Sequence, residues 1–275
     1  MSYISRRKAL LEKMEDNSIL ILFSGIENHI SSDTYFDMEA NRNFFYLTGL
    51  RRENMVLFLE KSKGTTAEKL FIEEADPSAE RWTGKMVTSD EAKEITGIND
   101  VYYTDTFERV VDVAITRHDI ANVYFDLYRH RKCDLPDFNL VQGLDFAKLY
   151  PGLNLKDLSP IVSSLRMNKD EEEVKLTKKA IEITKDSLLH VLRKLHPGMK
   201  EYQVQAEFEY MIHMLGAEHT AFNTIAGSGI NGTMMHYETN RCTAEDGSLI
   251  LLDLGARYEG YNADITRTYP VNGKY

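Results

Sequence analysis

The apolar positions in the first half of the chain fall in short runs bounded by turn residues. SILILFSG (residues 18–25), NMVLFLEK (54–61), EKLFIEE (68–74) and NVYFDL (122–127) have the length and side-chain content of strands. Helical patterns lie among them. DEAKEITG (90–97) reads as a short helix that stops on Gly97, FERVVDVAITR (107–117) as another, and the N-terminal MSYISRRKALLEKMED as a charged amphipathic helix. Strands interleaved with helices predict an α/β domain with a mixed sheet. Tyr150-Pro151-Gly152 marks a loop near its end, and LKDLSPIVSSLRM (155–167) leads out of it.

The pattern changes at Asn168. NKDEEEV places Asn168 as a helix cap with Glu171 three residues on, and His196-Pro197-Gly198 stops the long helix after Leu195. Val174, Ile181, Leu188 and Leu192 form its expected apolar face, and Val204, Phe208, Met211 and Leu215 that of a second helix over 201–216. Strands follow from Phe222 and end in a hairpin. SLILLDLG (248–255) is apolar on both faces, as a fully buried strand would be, and YNADITRT (261–268) is its return. A hairpin symmetric about Tyr258 and Glu259 puts Asp253 directly opposite Asp264. Cross-strand partners have Cβ atoms about 4.5–5.5 Å apart, and two carboxylates at 4 Å repel by about 4 kcal/mol at an effective dielectric near 20. A shared proton, an intervening cationic side chain or a bound cation would relieve this. Arg267 has the wrong parity to serve, since it points to the other face of its strand. An edge hairpin whose acids face water is the other alternative, and the spacing alone leaves the choice open. No internal repeat or low-complexity segment occurs.

Length and charge narrow the class. With 275 residues and 43% hydrophobic content, the chain can build two cores. Its net charge of -10, from 33 basic and 43 acidic residues, argues against nucleic acid as a partner, and RHRK (129–132) reads as a surface loop. Only Cys133 and Cys242 are present, which fits a reducing, cytoplasmic setting. The N-terminus lacks the apolar core of a signal peptide, and no run approaches the 18 apolar residues of a membrane span, so no membrane partner is expected.

Five stretches together resemble a known family. NRNFFYLTG (41–49) and ERWTG (80–84) are similar to the N-terminal domain of aminopeptidase P and prolidase. LRMNKDEEEVKLTKKA (165–180), FNTIAGSGINGTMMHYETN (222–240) and GSLILLDLGARYEGYNADITRTYPVNGKY (247–275) resemble the entry and first half of that family's catalytic core. The resemblance implies a creatinase-type, ribonuclease H-like α/β domain with a mixed sheet over 1–165. An α+β pita-bread metallopeptidase domain would follow over 166–275, and it would be incomplete. It also implies that Asp253 and Asp264 are two of five ligands to a pair of divalent ions, usually Mn(II), with Asp264 bridging them. A cation pair would then relieve the repulsion between the acids. His236 matches a histidine that lines the substrate pocket and acts there by hydrogen bonding or proton shuttling. On the residues alone His236, like His213 and His219, reads as structural.

The implied activity is removal of an N-terminal residue that precedes proline. Hydroxide generated between two metals attacks the carbonyl, and a glutamate downstream takes the proton. The implied partners are peptides with proline in second position, and the N-terminal domain would limit access to peptide ends and support a homo-oligomer, a dimer or tetramer. The family's remaining ligands, one His and two Glu, have no position here, and neither His190 nor Glu218 stands in their place. The chain is therefore expected to be inactive by itself, as a truncated enzyme would be. Prolidase activity and a natural short form acting in binding or assembly are the alternatives. Creatinase-like amidinohydrolases do not need the two acids, which weigh against them.

Overall fold

The computed structural model describes residues 2–274, which divide into two compact units after Asn168. In the first unit the amphipathic N-terminal segment forms α1 (Tyr3–Lys13), followed by β1 (Ser18–Phe23), α2 (Arg42–Thr48), β2 (Val56–Ser62) and β3 (Thr65–Ile72). Next come α3 (Pro77–Thr83), α4 (Ser89–Thr96), β4 (Asp100–Tyr103), α5 (Phe107–Arg117) and β5 (Asn122–Phe125). The unit ends with α6 (Phe138–Leu149), β6 (Asn154–Asp157) and α7 (Ser159–Arg166). The six strands lie in the order β4-β3-β2-β1-β5-β6. β1 pairs antiparallel with β2 and parallel with β5, so the sheet is mixed.

Both faces of that sheet are covered. Leu20 and Leu22 of β1 pack with Leu10, Leu47 and Leu57 in one core, and Ile19 and Ile21 pack with Phe58, Val111 and Phe125 in the other. Arg7 of α1 is fully buried and fully used. It donates to Glu68 Oε2 at 2.8 Å and to the carbonyls of Leu47 and Thr96, each at 2.9 Å, at the ends of α2 and α4. A buried guanidinium is tolerated because charge and donors all find partners, two of them at the electronegative ends of helices. α4 ends on Gly97 in the left-handed conformation, as expected, and the structure adds a Thr88–Glu91 capping box at its start. β4 and β6 escape the hydrophobic pattern because DVYY and NLKD are only four residues long and form the outer strands of the sheet.

The second unit begins with α8 (Glu171–Lys194) and α9 (Glu201–Met214). β7 (His219–Thr220), β8 (Ile225–Ser228), a 3-10 turn at Gly229–Thr233, β9 (Leu249–Leu254), β10 (Ala256–Tyr258), β11 (Tyr261–Asn262) and β12 (Ile265–Pro270) follow. They form two three-stranded antiparallel sheets, β11-β10-β7 and β12-β9-β8.

Four expectations are corrected here. The capping box of α8 is Asp170–Glu173, not Asn168–Glu171. Glu173 is buried and accepts the Tyr261 hydroxyl at 3.1 Å, so a partner 88 residues away selects the register. The inner face of α8 is Ala180, Ile183, Thr184, Ser187, Leu188 and Val191, whereas Val174 and Ile181 point outward. Small side chains at 180, 184 and 187 let strand backbone approach, and Thr184 Oγ1 accepts the Ala256 amide at 2.9 Å. On α9, Ile212 is buried where Met211 was expected. β9 is buried on one face only: Ile250, Leu252 and Leu254 enter the core, while Leu249 is 47% exposed and Leu251 half-buried.

Candidate functional site

The hairpin that carries both acids turns at Glu259-Gly260, since Tyr258 pairs with Tyr261. Both turn residues have positive φ, 48° and 78°, as the tightest hairpin turns require. That geometry sets Thr266, not Asp264, opposite Asp253. Asp264 falls two residues nearer the turn, level with Gly255, and the expected face-to-face pairing of the acids is overturned. The expected symmetry placed the turn one residue early, which shifts the register by two and keeps the face unchanged. Diagonal neighbours lie about 7–8 Å apart, so the repulsion is about half that of a directly opposed pair.

The acids nevertheless share a side of the sheet. Ala263 is buried and Ile265 packs against the core, so Asp264 and Thr266 alternate outward. Thr266 Oγ1 donates to Asp253 Oδ1 at 2.7 Å and orients that carboxylate. Gly255 is required between them: a Cβ there would lie 1.9 Å from the Ala263 carbonyl oxygen. Asp253 is half-buried and Asp264 exposed.

His236 stands on a separate loop between β8 and β9, exposed to solvent. The 3-10 turn at the start of that loop folds back over the same side of the sheet. A Cβ on Gly227 would sit 3.0 Å from the Asn231 carbonyl, and one on Gly232 would sit 3.3 Å from Leu251 Cβ. Two anchors that the sequence reading did not single out hold the loop. Asn240 accepts the Ala226 amide at 3.0 Å and donates to the Thr224 carbonyl at 2.7 Å. Glu201, at the first turn of α9, is fully buried. Its Oε1 accepts the Ser228 amide and hydroxyl, each at 2.8 Å, and the Asn231 amide group at 3.0 Å. Its Oε2 accepts the Tyr237 hydroxyl and the Cys242 amide, each at 2.8 Å. Burial would raise the pKa of this carboxyl, but the donors of Asn231, Ser228 and Tyr237 outweigh it and hold it below the usual value. Burial and the bond to Glu201 push the Tyr237 phenol up to about 12. A glutamate opening a helix is common on surfaces, so nothing in the local sequence marks this one as buried.

The carboxylate oxygens of Asp253 and Asp264 suit a hard divalent cation. They are a short set, because among the described residues no group of three or more His, Cys, Asp or Glu is placed to hold a metal ion. The other candidate donors are engaged elsewhere: His190 pairs with Glu207 at 2.8 Å, and Glu218 lies 3.5 Å from Arg257 Nε. Cys133 and Cys242 are exposed free thiols. Among the described residues no helix is long and apolar enough to cross a membrane.

Comparison with known proteins gives two family matches: aminopeptidase P, N-terminal domain, over residues 3–124, and metallopeptidase family M24 over residues 175–275. The Xaa-Pro aminopeptidase of Escherichia coli is 33% identical over 98% of this chain and 62% of its own length. A structure from Bacillus anthracis assigned to aminopeptidase P superposes with a TM-score of 0.96 at 37% identity, covering 99% of this chain and 65% of its own. The structure of E. coli aminopeptidase P with the inhibitor Pro-Leu gives 0.85 at 32%, covering 100% of this chain and 63% of that one. The chain thus spans less than two-thirds of the length of these relatives, and its second unit matches only part of the pita-bread catalytic domain.

Proposed function

The chain belongs to the aminopeptidase P family, and on that premise we propose that it serves a metal-dependent aminopeptidase that removes an N-terminal residue preceding proline. The observation that carries this reading is the placement of Asp253 and Asp264 on one open side of the β9–β12 hairpin, inside the M24 match. These carboxylates would hold the metal, Mn(II) in this reading. A pair of such ions, when bound, would acidify a water and polarise the scissile carbonyl. Thr266 fixes the rotamer of Asp253 through its hydroxyl. His236, exposed on its loop, is free to hydrogen-bond a peptide or to shuttle a proton at the imidazole. The Pro-Leu inhibitor of the E. coli relative supports proline-containing peptides as substrates.

The 275-residue polypeptide alone lacks peptidase activity in this reading, since two carboxylates leave a divalent ion short of ligands. The protein is also read as a cytoplasmic homo-oligomer. The deciding experiment treats the protein as isolated from its cells with Xaa-Pro-Yaa and Xaa-Pro peptides, with and without Mn(II). Metal-dependent release of the first residue from the longer peptide is expected. Cleavage confined to the dipeptide would move the reading to prolidase, and no cleavage of either would defeat it. Robust release by the 275-residue polypeptide alone would overturn its proposed inactivity.

A further inference from the structure

Beside Asn240, the loop that carries His236 is held by a carboxylate whose partners are all donors. Ser228 lies at the end of β8, Asn231 in the 3-10 turn, Tyr237 beside His236, and Cys242 at the far end of the loop. Glu201 therefore ties both ends and the middle of residues 228–242 to the first turn of α9. The Glu201 amide donates in return to the Cys242 carbonyl at 3.0 Å. Among the described residues no cation bonds this carboxylate. Its charge is met there by hydrogen bonds, which makes the arrangement costly to disturb and geometrically strict.

We propose that Glu201 is the positioning residue of the proposed active site: by gripping Tyr237 and Cys242 on one oxygen and Ser228 and Asn231 on the other, it sets where His236 stands. This rests on the catalytic reading of His236. Charge rather than volume is the requirement. In Glu201→Gln, one oxygen becomes an NH2 group. Whichever way the amide is turned, that NH2 meets a backbone N–H, of Ser228 on one side or Cys242 on the other. One side of the grip is then lost although the side chain keeps its shape. Tyr237→Phe is the milder variant: it releases the phenol from Glu201, Asn231 and the Cys242 thiol but leaves the carboxylate its bonds to Ser228, Asn231 and the Cys242 amide.

The test is a set of cycles in the protein as isolated: Glu201→Gln and Tyr237→Phe, each alone and in a His236→Ala background. Release of the N-terminal residue, bound metal and melting temperature are followed together. A displacement of about 1 Å can cost roughly 100-fold in rate, so Glu201→Gln should lower kcat by about 10- to 100-fold, with bound metal retained. Tyr237→Phe should lower it less. Both losses should vanish in the His236→Ala background, because the positioned group is gone. The same fold loss in both backgrounds, or full kcat in a folded Glu201→Gln protein, would overturn the proposal. If Glu201→Gln fails to fold, Tyr237→Phe decides alone by the same criterion. An unimpaired His236→Ala protein would instead defeat the catalytic reading of His236, and this proposal with it. An impaired one with additive losses defeats only the positioning role.

Discussion

β1, SILILF, and β9, LILLDL, are nearly interchangeable strings of aliphatic residues, and each is an inner strand of its own sheet. They end in opposite conditions. Every residue of β1 except Phe23 is buried, because helices cover both faces of a six-stranded sheet. β9 alternates, with Ile250, Leu252 and Leu254 under α8 and α9, and Leu249, Leu251 and Asp253 on the open side. An aliphatic run states how much a strand can bury, not how many layers will cover it. The open side is also the only one on which a carboxylate such as Asp253 can stand without a heavy desolvation cost.

Asp253→Asn should have the largest effect. Changing groups that merely orient metal ligands costs about 10- to 100-fold, so loss of a ligand should lower metal-dependent release by more than about 100-fold, with the melting temperature nearly unchanged. Retained activity would remove Asp253 from the site. Leu20→Ala and Leu251→Ala probe the contrast itself. The first creates a cavity between two layers and should cost about 2–5 kcal/mol in denaturant unfolding. The second should cost under about 1 kcal/mol, and equal costs would mean that the open side of β9 is covered in the protein.

The buried Glu201 gives a pH signature of its own. Its pKa is lowered by folding, so its stabilisation is fully present above the ordinary glutamate value, about 4.3. It is lost as pH falls further, through the folded value. The gap in melting temperature between wild type and Glu201→Gln should therefore narrow below that pH, and a constant gap would show that Glu201 does not act as an anion. Thr266→Val is expected to be the mildest change. Its bond to Asp253 is exposed, so stability should fall by less than about 1 kcal/mol, while metal affinity weakens measurably through the freed carboxylate rotamer.

Much of the architecture could be read directly. Residues 107–117 form α5 as bounded in advance, Gly97 closes α4, and the strand runs at 18–25, 54–61, 68–74 and 122–127 all became strands. The misses share a cause. Asn168–Glu171 and Asp170–Glu173 satisfy the same capping pattern, and burial of Glu173 with its bond from the Tyr261 hydroxyl goes with the second. Thr184 and Ser187 look like surface residues of α8, yet they face the strands because their small size admits backbone. The acids were found from their pattern, but their register was not, since Tyr258-Glu259 and Glu259-Gly260 are both plausible turn centres. The positive φ at Glu259 and the clash any side chain would meet at Gly255 are three-dimensional facts.

By itself, then, the sequence determined the order of elements, the mixed α/β character of the first unit, and the presence of two carboxylates in a hairpin, because these follow from local periodicity and turn chemistry. Tertiary structure alone decided which face of β9 stays open, that Asp253 meets Thr266 rather than Asp264, and that Glu201 lies at the centre of the His236 loop. Burial, register and the sharing of one carboxylate among four residues depend on what packs from elsewhere in the chain, and residue order carries no such distances.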